Sequence, residues 1–111
     1  FEVIVGRWAA GELMVEDVEP WAGFVARVGQ GLDTLALNGN RGRRIALFCS
    51  GGPIGVAMQR ALNLSTADML KTAWMMCNCG YSSFVFSGNR FTLTSYNSYP
   101  HITGSDFLTY R

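Results

Sequence analysis

The residues best suited to chemistry in this 111-residue chain are Ser50, Gly51 and Gly52. They join an apolar run at 44–48 (RIALF) to a helix-like run at 56–64 (VAMQRALNL). A strand that turns into a helix through glycines presents backbone N–H groups at the positive end of the helix dipole, and such a turn can bind phosphate. The alternative is that Ser-Gly-Gly-Pro is only a good helix cap. Both interpretations stay open at this point.

Other candidate residues have simpler explanations. Glu12, Glu16, Asp17 and Glu19 precede an amphipathic run, and one of them is a candidate general acid. The alternative is a solvated helix start, where carboxylates interact favourably with the helix dipole. We interpret the single histidine, His101, as a packed or hydrogen-bonded residue of the tail.

The cysteines and the histidine do not form a familiar metal or disulfide framework. Cys49, Cys77 and Cys79 are odd in number, and a single residue separates the last two. With one histidine, no metal set is credible, so we expect no metal and no cofactor. We interpret the three thiols as reduced and mostly packed, in a cytoplasmic protein.

The composition favours a folded domain with a buried core. Hydrophobic residues make up 49% of the chain and charged residues 15%, which argues against disorder. The net charge of +1 provides no field for nucleic acid or an anionic membrane, so we expect neither as a partner. The basic cluster Arg41, Arg43 and Arg44 is interpreted as a solvated turn, with a ligand site as the alternative. No apolar run is long enough to cross a bilayer.

Hydrophobic periodicity predicts one long helix in the first half of the chain. Apolar residues recur close to a period of 3.6 from Pro20 to Leu37, and Pro20 suits a first helical turn. Residues 1–5 (FEVIV) are interpreted as a strand or the end of one, and 6–20 as a loop. A start inside an apolar run without Met suggests a processed product or a fragment.

The second half predicts a strand, two helices and a hairpin. The run at 43–49 (RRIALFC) is typical of a strand covered on both faces in a parallel sheet. Helices are predicted at 53–64 and 65–76, with Asp68 at capping-box spacing from the start of the second. Two β-rich runs flank 87–90 (SGNR), which predicts a hairpin. The sequence contains no repeat or linker, so the chain is interpreted as one unit.

Several short pieces, in this order, resemble the C-terminal half of the histidine phosphatase (phosphoglycerate mutase-like) superfamily. EPWAGFVARV at 19–28 looks like the family's Glu-Ser-x-x-x-Phe-x-x-Arg-Val helix start, and IALFCSGGPI at 45–54 looks like its Val-Val-Ser-His-Gly-Gly-x-Ile turn. CNCGYSSFVFSGNRFTLTSYN at 77–97 is similar to its Asn-Ala-Ser hairpin, and PHI at 100–102 looks like its closing His-Leu. The matching residues of the first and third pieces are Glu19, Phe24, Arg27, Val28, Asn78, Phe86, Gly88, Arg90 and Asn97.

The resemblance implies an α/β fold with three α/β/α layers, a mostly parallel sheet and a C-terminal β-hairpin. Residues 1–111 would be the C-terminal portion of a single such domain, a partial domain lacking the first strand. The family acts on phosphate monoesters through a phosphohistidine, so the implied ligand is a phosphorylated small molecule or phosphate. The implied phosphate-binding residues are Ser50, Gly51 and Gly52.

Two departures from the family pattern bear on catalysis. The chain has no Arg-His-Gly, whose histidine the family phosphorylates, and the second catalytic histidine belongs where Ser50 stands. A serine can donate one hydrogen bond to phosphate but brings no charge, and losing one preorganised donor costs about 2.7–4 kcal/mol in the barrier. We therefore expect this chain to be impaired or inactive as a phosphatase. The alternative is a non-catalytic phosphate-binding or protein-interaction domain that retains the fold.

The resemblance also implies a gap in the sheet. In the family the first strand lies between the strand at 45–48 and one strand of the closing hairpin. Without it, backbone groups are left unpaired, at about 1–3 kcal/mol for each buried one. We expect the gap to be filled by an upstream half of the same domain, by a second copy of the chain, or by residues 1–5.

Overall fold

Four α-helices and a two-stranded antiparallel sheet make up the regular structure of the described residues. The structure is a computed structural model, and it describes residues 1–37 and 42–110. The elements are α1 Glu2–Ala9, α2 Trp21–Leu37, α3 Gly51–Leu62, α4 Thr66–Trp74, β1 Tyr81–Ser87 and β2 Arg90–Ser98, followed by a 3-10 turn at Ser105–Phe107. The chain divides into two units, Phe1–Phe48 and Cys49–Arg111, and each is described by itself.

The first residues form helix α1, so the strand predicted at 1–5 is wrong. Glu2 in its first turn and Arg7 in its last turn both interact favourably with the helix dipole. The N–H of Val5 already bonds to the carbonyl oxygen of Phe1, 3.0 Å away. A helix satisfies its backbone groups locally, whereas a strand needs a neighbour. Residues 1–5 therefore do not supply a strand to fill the gap.

Helix α2 confirms the amphipathic helix predicted at 20–37, beginning one residue later at Trp21. Its first turn meets α1 through aromatic rings. The Trp8 ring packs edge-on against Trp21, with ring centres 4.9 Å apart, and lies 5.6 Å from Phe24. The indole N–H of Trp8 also donates to the carbonyl oxygen of Glu19, 2.9 Å away. These contacts hold the two helices together.

Residues 43–50 lie in no helix or strand, so the strand predicted at 43–49 is not formed. Leu47 is 58% exposed and Phe48 is 95% exposed. A strand exists only when a neighbour completes its hydrogen-bond ladder, and no described residue pairs with this run. Its apolar composition therefore predicts burial that the described part of the chain does not provide.

Helices α3 and α4 confirm the two helices predicted after this run. A left-handed residue, Asn63 with φ 54°, ends α3, and the short turn after it leads into α4. At Gly55 a side-chain Cβ would lie 2.6 Å from the Met69 sulfur and 3.2 Å from the Ala73 Cβ. Glycine at this position therefore allows α3 and α4 to pack closely. The buried apolar residues of the described chain are Val56, Ala57, Met58, Met69, Ala73, Met76 and Cys77.

The hairpin predicted around 87–90 is confirmed. Phe84 pairs with Leu93 and Phe86 with Phe91, which places four large apolar residues on one face. The Phe84 and Phe91 rings stack with centres 4.9 Å apart, and the Arg60 guanidinium of α3 lies 5.3 Å from the Phe91 ring centre. The described sheet is thus a two-stranded antiparallel one, and the chain is a small α/β protein.

The end of β2 is bonded to the end of α4 by side chains. The Asn97 amide oxygen accepts from the Cys77 N–H and its amide nitrogen donates to the Met75 carbonyl, both at 2.8 Å. The Tyr96 hydroxyl donates to the Thr72 carbonyl oxygen. The last carbonyl groups of a helix have no partner within the helix. Two adjacent strand residues therefore satisfy the C-terminal end of α4.

Candidate anion-binding site

The candidate site is the N-terminus of α3. Ser50 has extended backbone angles (φ −82°, ψ 175°) and stands at the N-cap, so Gly51 and Gly52 are the first two helical residues. The first N–H groups of a helix have no partner inside it. Pro53 is third and has no N–H. The turn therefore presents two backbone donors, from Gly51 and Gly52, at the positive end of the helix.

The side chain of Ser50 does not cap the helix. Ser50 is exposed, and its hydroxyl makes no hydrogen bond to the N–H groups of α3. At the start of α4, by contrast, the Ser65 hydroxyl accepts from the Asp68 N–H at 3.1 Å and donates to the Asp68 carboxylate at 2.7 Å. The predicted cap at Ser65 is confirmed, with Asp68 three residues further along the helix. Ser50 thus occupies a cap position while its hydroxyl is left for another acceptor or donor.

The end of α4 limits how an anion can approach. A Cβ built on Gly51 would lie 3.6 Å from the carbonyl oxygen of Ala73, near the C-terminal end of α4. Carbonyl oxygens at a helix C-terminus carry partial negative charge and repel anions. An anion at this turn would therefore lie on the side away from Ala73. The 3.6 Å distance is an ordinary contact, so alanine also fits at position 51.

The residues that form the turn, 50–53, carry no positive charge themselves. Among the residues described from 49 to 110, the cationic side chains are Arg60, Lys71 and Arg90. Arg60 is nine residues beyond Gly51 on α3, about 14 Å along the helix axis. Lys71 pairs with the Asp68 carboxylate at 3.0 Å. The donors at the turn are therefore neutral, which suits binding of an anion better than stabilising the charge of phosphoryl transfer.

The histidine and Asn78 have their own partners elsewhere. The exposed His101 ring stacks on Tyr81 with ring centres 6.2 Å apart. Asn78 lies in a turn, where its N–H donates to the Thr109 carbonyl at 2.8 Å and its amide to the Thr109 hydroxyl at 3.0 Å. Asn78 thus ties the tail to the loop after α4.

Two of the acidic residues ahead of α2, Glu12 and Glu19, form surface ion pairs. The Arg27 guanidinium donates two hydrogen bonds to the Glu19 carboxylate in a bidentate ion pair, with N···O distances of 2.7 and 3.0 Å. These hydrogen bonds, reinforced by the charge of Arg27, hold the pKa of Glu19 below its ordinary value. A general acid works with a raised pKa, so the general-acid candidacy of Glu19 gains no support. Glu12 pairs with Arg7 at 3.3 Å. The solvated helix start accounts for both residues.

The thiols and carboxylates of the described residues do not gather into a metal site: no three groups among His, Cys, Asp and Glu are placed to hold one ion. All three cysteines are free thiols, but only Cys77 is buried, while Cys49 and Cys79 are exposed. The expectation that the thiols are packed is therefore right for Cys77 alone. Of the basic cluster, Arg43 and Arg44 are exposed and Arg41 lies outside the described residues.

The whole sequence was also compared with known families. The sequence profile of the histidine phosphatase superfamily (branch 1) matches residues 4–99. The chain belongs to the histidine phosphatase superfamily. The matched range contains the turn at Ser50 and the hairpin, and it begins before Glu19, where the recognisable motifs start. No curated protein and no solved structure is significantly similar to the chain.

Sequence reasoning missed the structural role of Asn97 at the end of α4. The sequence identified Asn97 as part of the hairpin motif, but it did not predict the hydrogen bonds of Asn97 to Met75 and Cys77. Its positive φ of 48° and its position at the end of a strand are the available signals.

In the described residues no helix is both long and apolar enough to span a membrane.

Proposed function

We propose that this chain is the C-terminal portion of a single histidine phosphatase domain whose complete form acts on phosphate monoesters through a phosphohistidine. The complete domain has three α/β/α layers and a mostly parallel sheet. The part described here contributes a phosphate site at Ser50, Gly51 and Gly52, with Ser50 in the position of the second catalytic histidine. On its own the chain binds phosphate without hydrolysing its esters.

The observation that carries the proposal is the open cap of α3. Two orphan N–H groups and a hydroxyl that makes no capping bond converge on one turn, inside the range matched by the family profile. The interaction of an anion with an exposed helix N-terminus contributes about 0.3–1 kcal/mol of binding free energy. A dissociation constant of 1 mM requires about 4.1 kcal/mol. We therefore expect binding of phosphate at millimolar concentration or weaker.

The lack of a histidine at the candidate phosphate site supports the proposal that the chain alone is inactive. Phosphohistidine formation needs an imidazole at the phosphorus, and the one histidine of the sequence, His101, stacks on Tyr81. The neutral donors of the turn favour the alternative function as well, a non-catalytic phosphate-binding or protein-interaction domain. The two proposals differ in whether the complete domain hydrolyses phosphate monoesters.

An upstream half of the same domain, or a second copy of the chain, is the proposed partner. Within the described residues each strand of the hairpin pairs only with the other, and the apolar run at 45–48 has no partner. Strand addition satisfies such edges through backbone hydrogen bonds. A phosphorylated small molecule is the proposed ligand, in a cytoplasmic protein without a cofactor.

Amide chemical shifts during titration with inorganic phosphate test the site. We expect the Gly51 and Gly52 amides to move first. The first amides of α4, at Thr66 and Ala67, serve as control because Ser65 already caps that helix. Ser50→Ala should weaken binding, whereas Ser65→Ala should not. Uniform small shifts, or shifts centred on Arg43 and Arg44, would show that the turn is only a helix start.

Hydrolysis is tested with p-nitrophenyl phosphate. The purified chain should give no turnover above background, and activity that follows the protein through purification would refute the inactive assignment. In a domain completed by its upstream half, Ser50→His should raise activity if the rest of the site is intact. Unchanged activity would count against Ser50 lining the pocket.

A further inference from the structure

Asn97, near the end of β2, joins the hairpin to the C-terminal end of α4. Its amide group accepts from the Cys77 N–H and donates to the Met75 carbonyl oxygen, each at 2.8 Å. Its own backbone N–H donates to the Ser82 hydroxyl of β1 at 3.1 Å. These three hydrogen bonds fix Asn97 between the two elements.

The backbone around Asn97 is shaped to bring this amide group to the helix end. Asn97 has a left-handed φ of 48°, which asparagine tolerates better than most residues. The hairpin register shifts on both sides of Ser83, and such bulges redirect nearby side chains. At Gly80 an added Cβ would lie 2.8 Å from the Asn97 amide oxygen, so glycine leaves room for it. Three departures from regular structure therefore serve one side chain.

Ala73, in the last turn of α4, is a contact between this helix end and the candidate phosphate site. Ala73 is 6% exposed. A Cβ built on Gly51 would lie 3.6 Å from the Ala73 carbonyl oxygen, and one built on Gly55 would lie 3.2 Å from the Ala73 Cβ. The first turn of α3, which carries the N–H groups of Gly51 and Gly52, therefore packs against Ala73.

The carbonyl groups on either side of Ala73 in the chain are held by β2. The Tyr96 hydroxyl donates to the Thr72 carbonyl oxygen, and the Asn97 amide donates to that of Met75. A shift of this end of α4 would move the Ala73 carbonyl relative to the turn. Protein interiors are close-packed, so such a displacement is passed to the neighbouring helix.

We infer that Asn97 is a positioning residue for phosphate binding, which acts through Ala73 on the backbone donors of Gly51 and Gly52. The inference rests on the proposed phosphate site, and Asn97 itself does not contact the phosphate. The carbonyl groups at the end of α4 carry partial negative charge, which repels an anion. Asn97 holds them in the place that leaves the two N–H groups open to phosphate on the side away from Ala73.

Titration of the 111-residue chain with inorganic phosphate, followed by NMR at the Gly51 and Gly52 amides, tests the inference. Asn97→Gly removes both bonds to the end of α4, and glycine suits the left-handed backbone there. We expect it to weaken the dissociation constant for phosphate by about threefold or more. Tyr96→Phe removes one bond and should have a smaller effect in the same direction. Ser65→Ala, which removes the cap at the start of the same helix, is the matched control and should leave the constant unchanged.

The amide chemical shifts of Gly51 and Gly52 before phosphate is added provide a measurement that does not depend on binding. Asn97→Gly should displace both, and Ser65→Ala should not. If the unmodified chain binds no phosphate but Asn97→Gly displaces these amides, the phosphate site is wrong and the coupling through Ala73 stands.

Two results would overturn the inference. One is that the Gly51 and Gly52 shifts are the same in Asn97→Gly as in the unmodified chain. The other is that Asn97→Gly binds phosphate no more weakly than Ser65→Ala does. If Asn97→Gly does not fold, Tyr96→Phe decides by the same two measurements.

Discussion

The two units of the chain use similar sequence patterns with different results. Each contains two amphipathic helices joined by a connection. In the unit before Cys49 no described residue is buried, whereas the unit from Cys49 onward holds every buried residue of the described chain. The large apolar residues left mostly exposed in the first unit are Phe1, Val3, Ile4, Met14, Val15, Val18, Leu47 and Phe48.

The difference shows that amphipathic patterning needs a close-packed partner before it yields a core. In the second unit Gly55 allows α3 to approach Met69 and Ala73, and side chains of β2 complete the end of α4. In the first unit two of the three glycines of α2, Gly29 and Gly31, face open space. The rings of Trp8, Trp21 and Phe24 make the main contact there, at the helix ends.

The largest expected effect removes the centre of the buried core. Met69 is 1% exposed. Met69→Ala should lower the free energy of unfolding of the second unit by about 2–5 kcal/mol, because transfer energy is lost and a cavity is left. Urea denaturation with amide exchange along α3 and α4 measures the loss. The matched change in the first unit, Trp8→Ala, removes ring contacts worth about 0.5–1.5 kcal/mol each and should cost less, measured at α2 amides. Equal costs would contradict the comparison.

Glycine-to-alanine changes should have opposite signs in the two units. Gly55→Ala places a methyl group 2.6 Å from the Met69 sulfur and should destabilise by about 1–3 kcal/mol. Gly29→Ala meets nothing within 4 Å in a helix interior and should stabilise α2 by roughly 0.5–1 kcal/mol. Thermal unfolding followed by circular dichroism measures both. A stabilising Gly55→Ala would mean that α3 and α4 are not closely packed in solution.

The two helix starts of the second unit provide a smaller contrast. Ser65→Ala removes a capping hydroxyl and should cost about 1 kcal/mol. Ser50→Ala removes a hydroxyl that makes no capping bond, so its effect should stay within about 0.5 kcal/mol. Denaturant midpoints of the two variants decide the point. A cost for Ser50→Ala equal to that of Ser65→Ala would show that Ser50 is a structural cap.

The smallest expected effect is a loss of stability at acidic pH, caused by protonation of Asp68. The Ser65 hydroxyl, and after it Lys71, hold the pKa of Asp68 below its ordinary value. Because the folded-state pKa is depressed, this contribution to stability is present above the unfolded-state pKa, near pH 4, and is lost as pH falls through the lower folded-state value. A carboxyl titration by NMR should show that Ser65→Ala raises the pKa of Asp68 more than Lys71→Gln does. The reverse order would make the ion pair the main cause.

The sequence predicted those elements whose signals are local. Helix α2 follows from a 3.6 period that starts at Pro20, α4 from the cap at Ser65, and the hairpin from two β-rich runs around Gly88. Each of these satisfies its backbone hydrogen bonds within itself or with its chain neighbour, so nearby residues suffice to specify it. The family was also recognisable from short pieces, although the phosphate site they imply stays a prediction.

Tertiary structure decided what depends on distant partners. Residues 1–5 and 45–48 are similar apolar runs, yet one became part of helix α1 and the other lies in no helix or strand and is mostly exposed. A buried strand requires neighbours on both edges, and apolar composition cannot say whether the chain supplies them. In the same way, serine is a favourable N-cap residue at both 50 and 65. Only in the folded structure does it become clear that the Ser65 hydroxyl accepts a hydrogen bond from a helix N–H group, whereas the Ser50 hydroxyl does not. Hydrogen bonds form between atoms brought within reach by the surrounding packing, which the residue type alone does not fix.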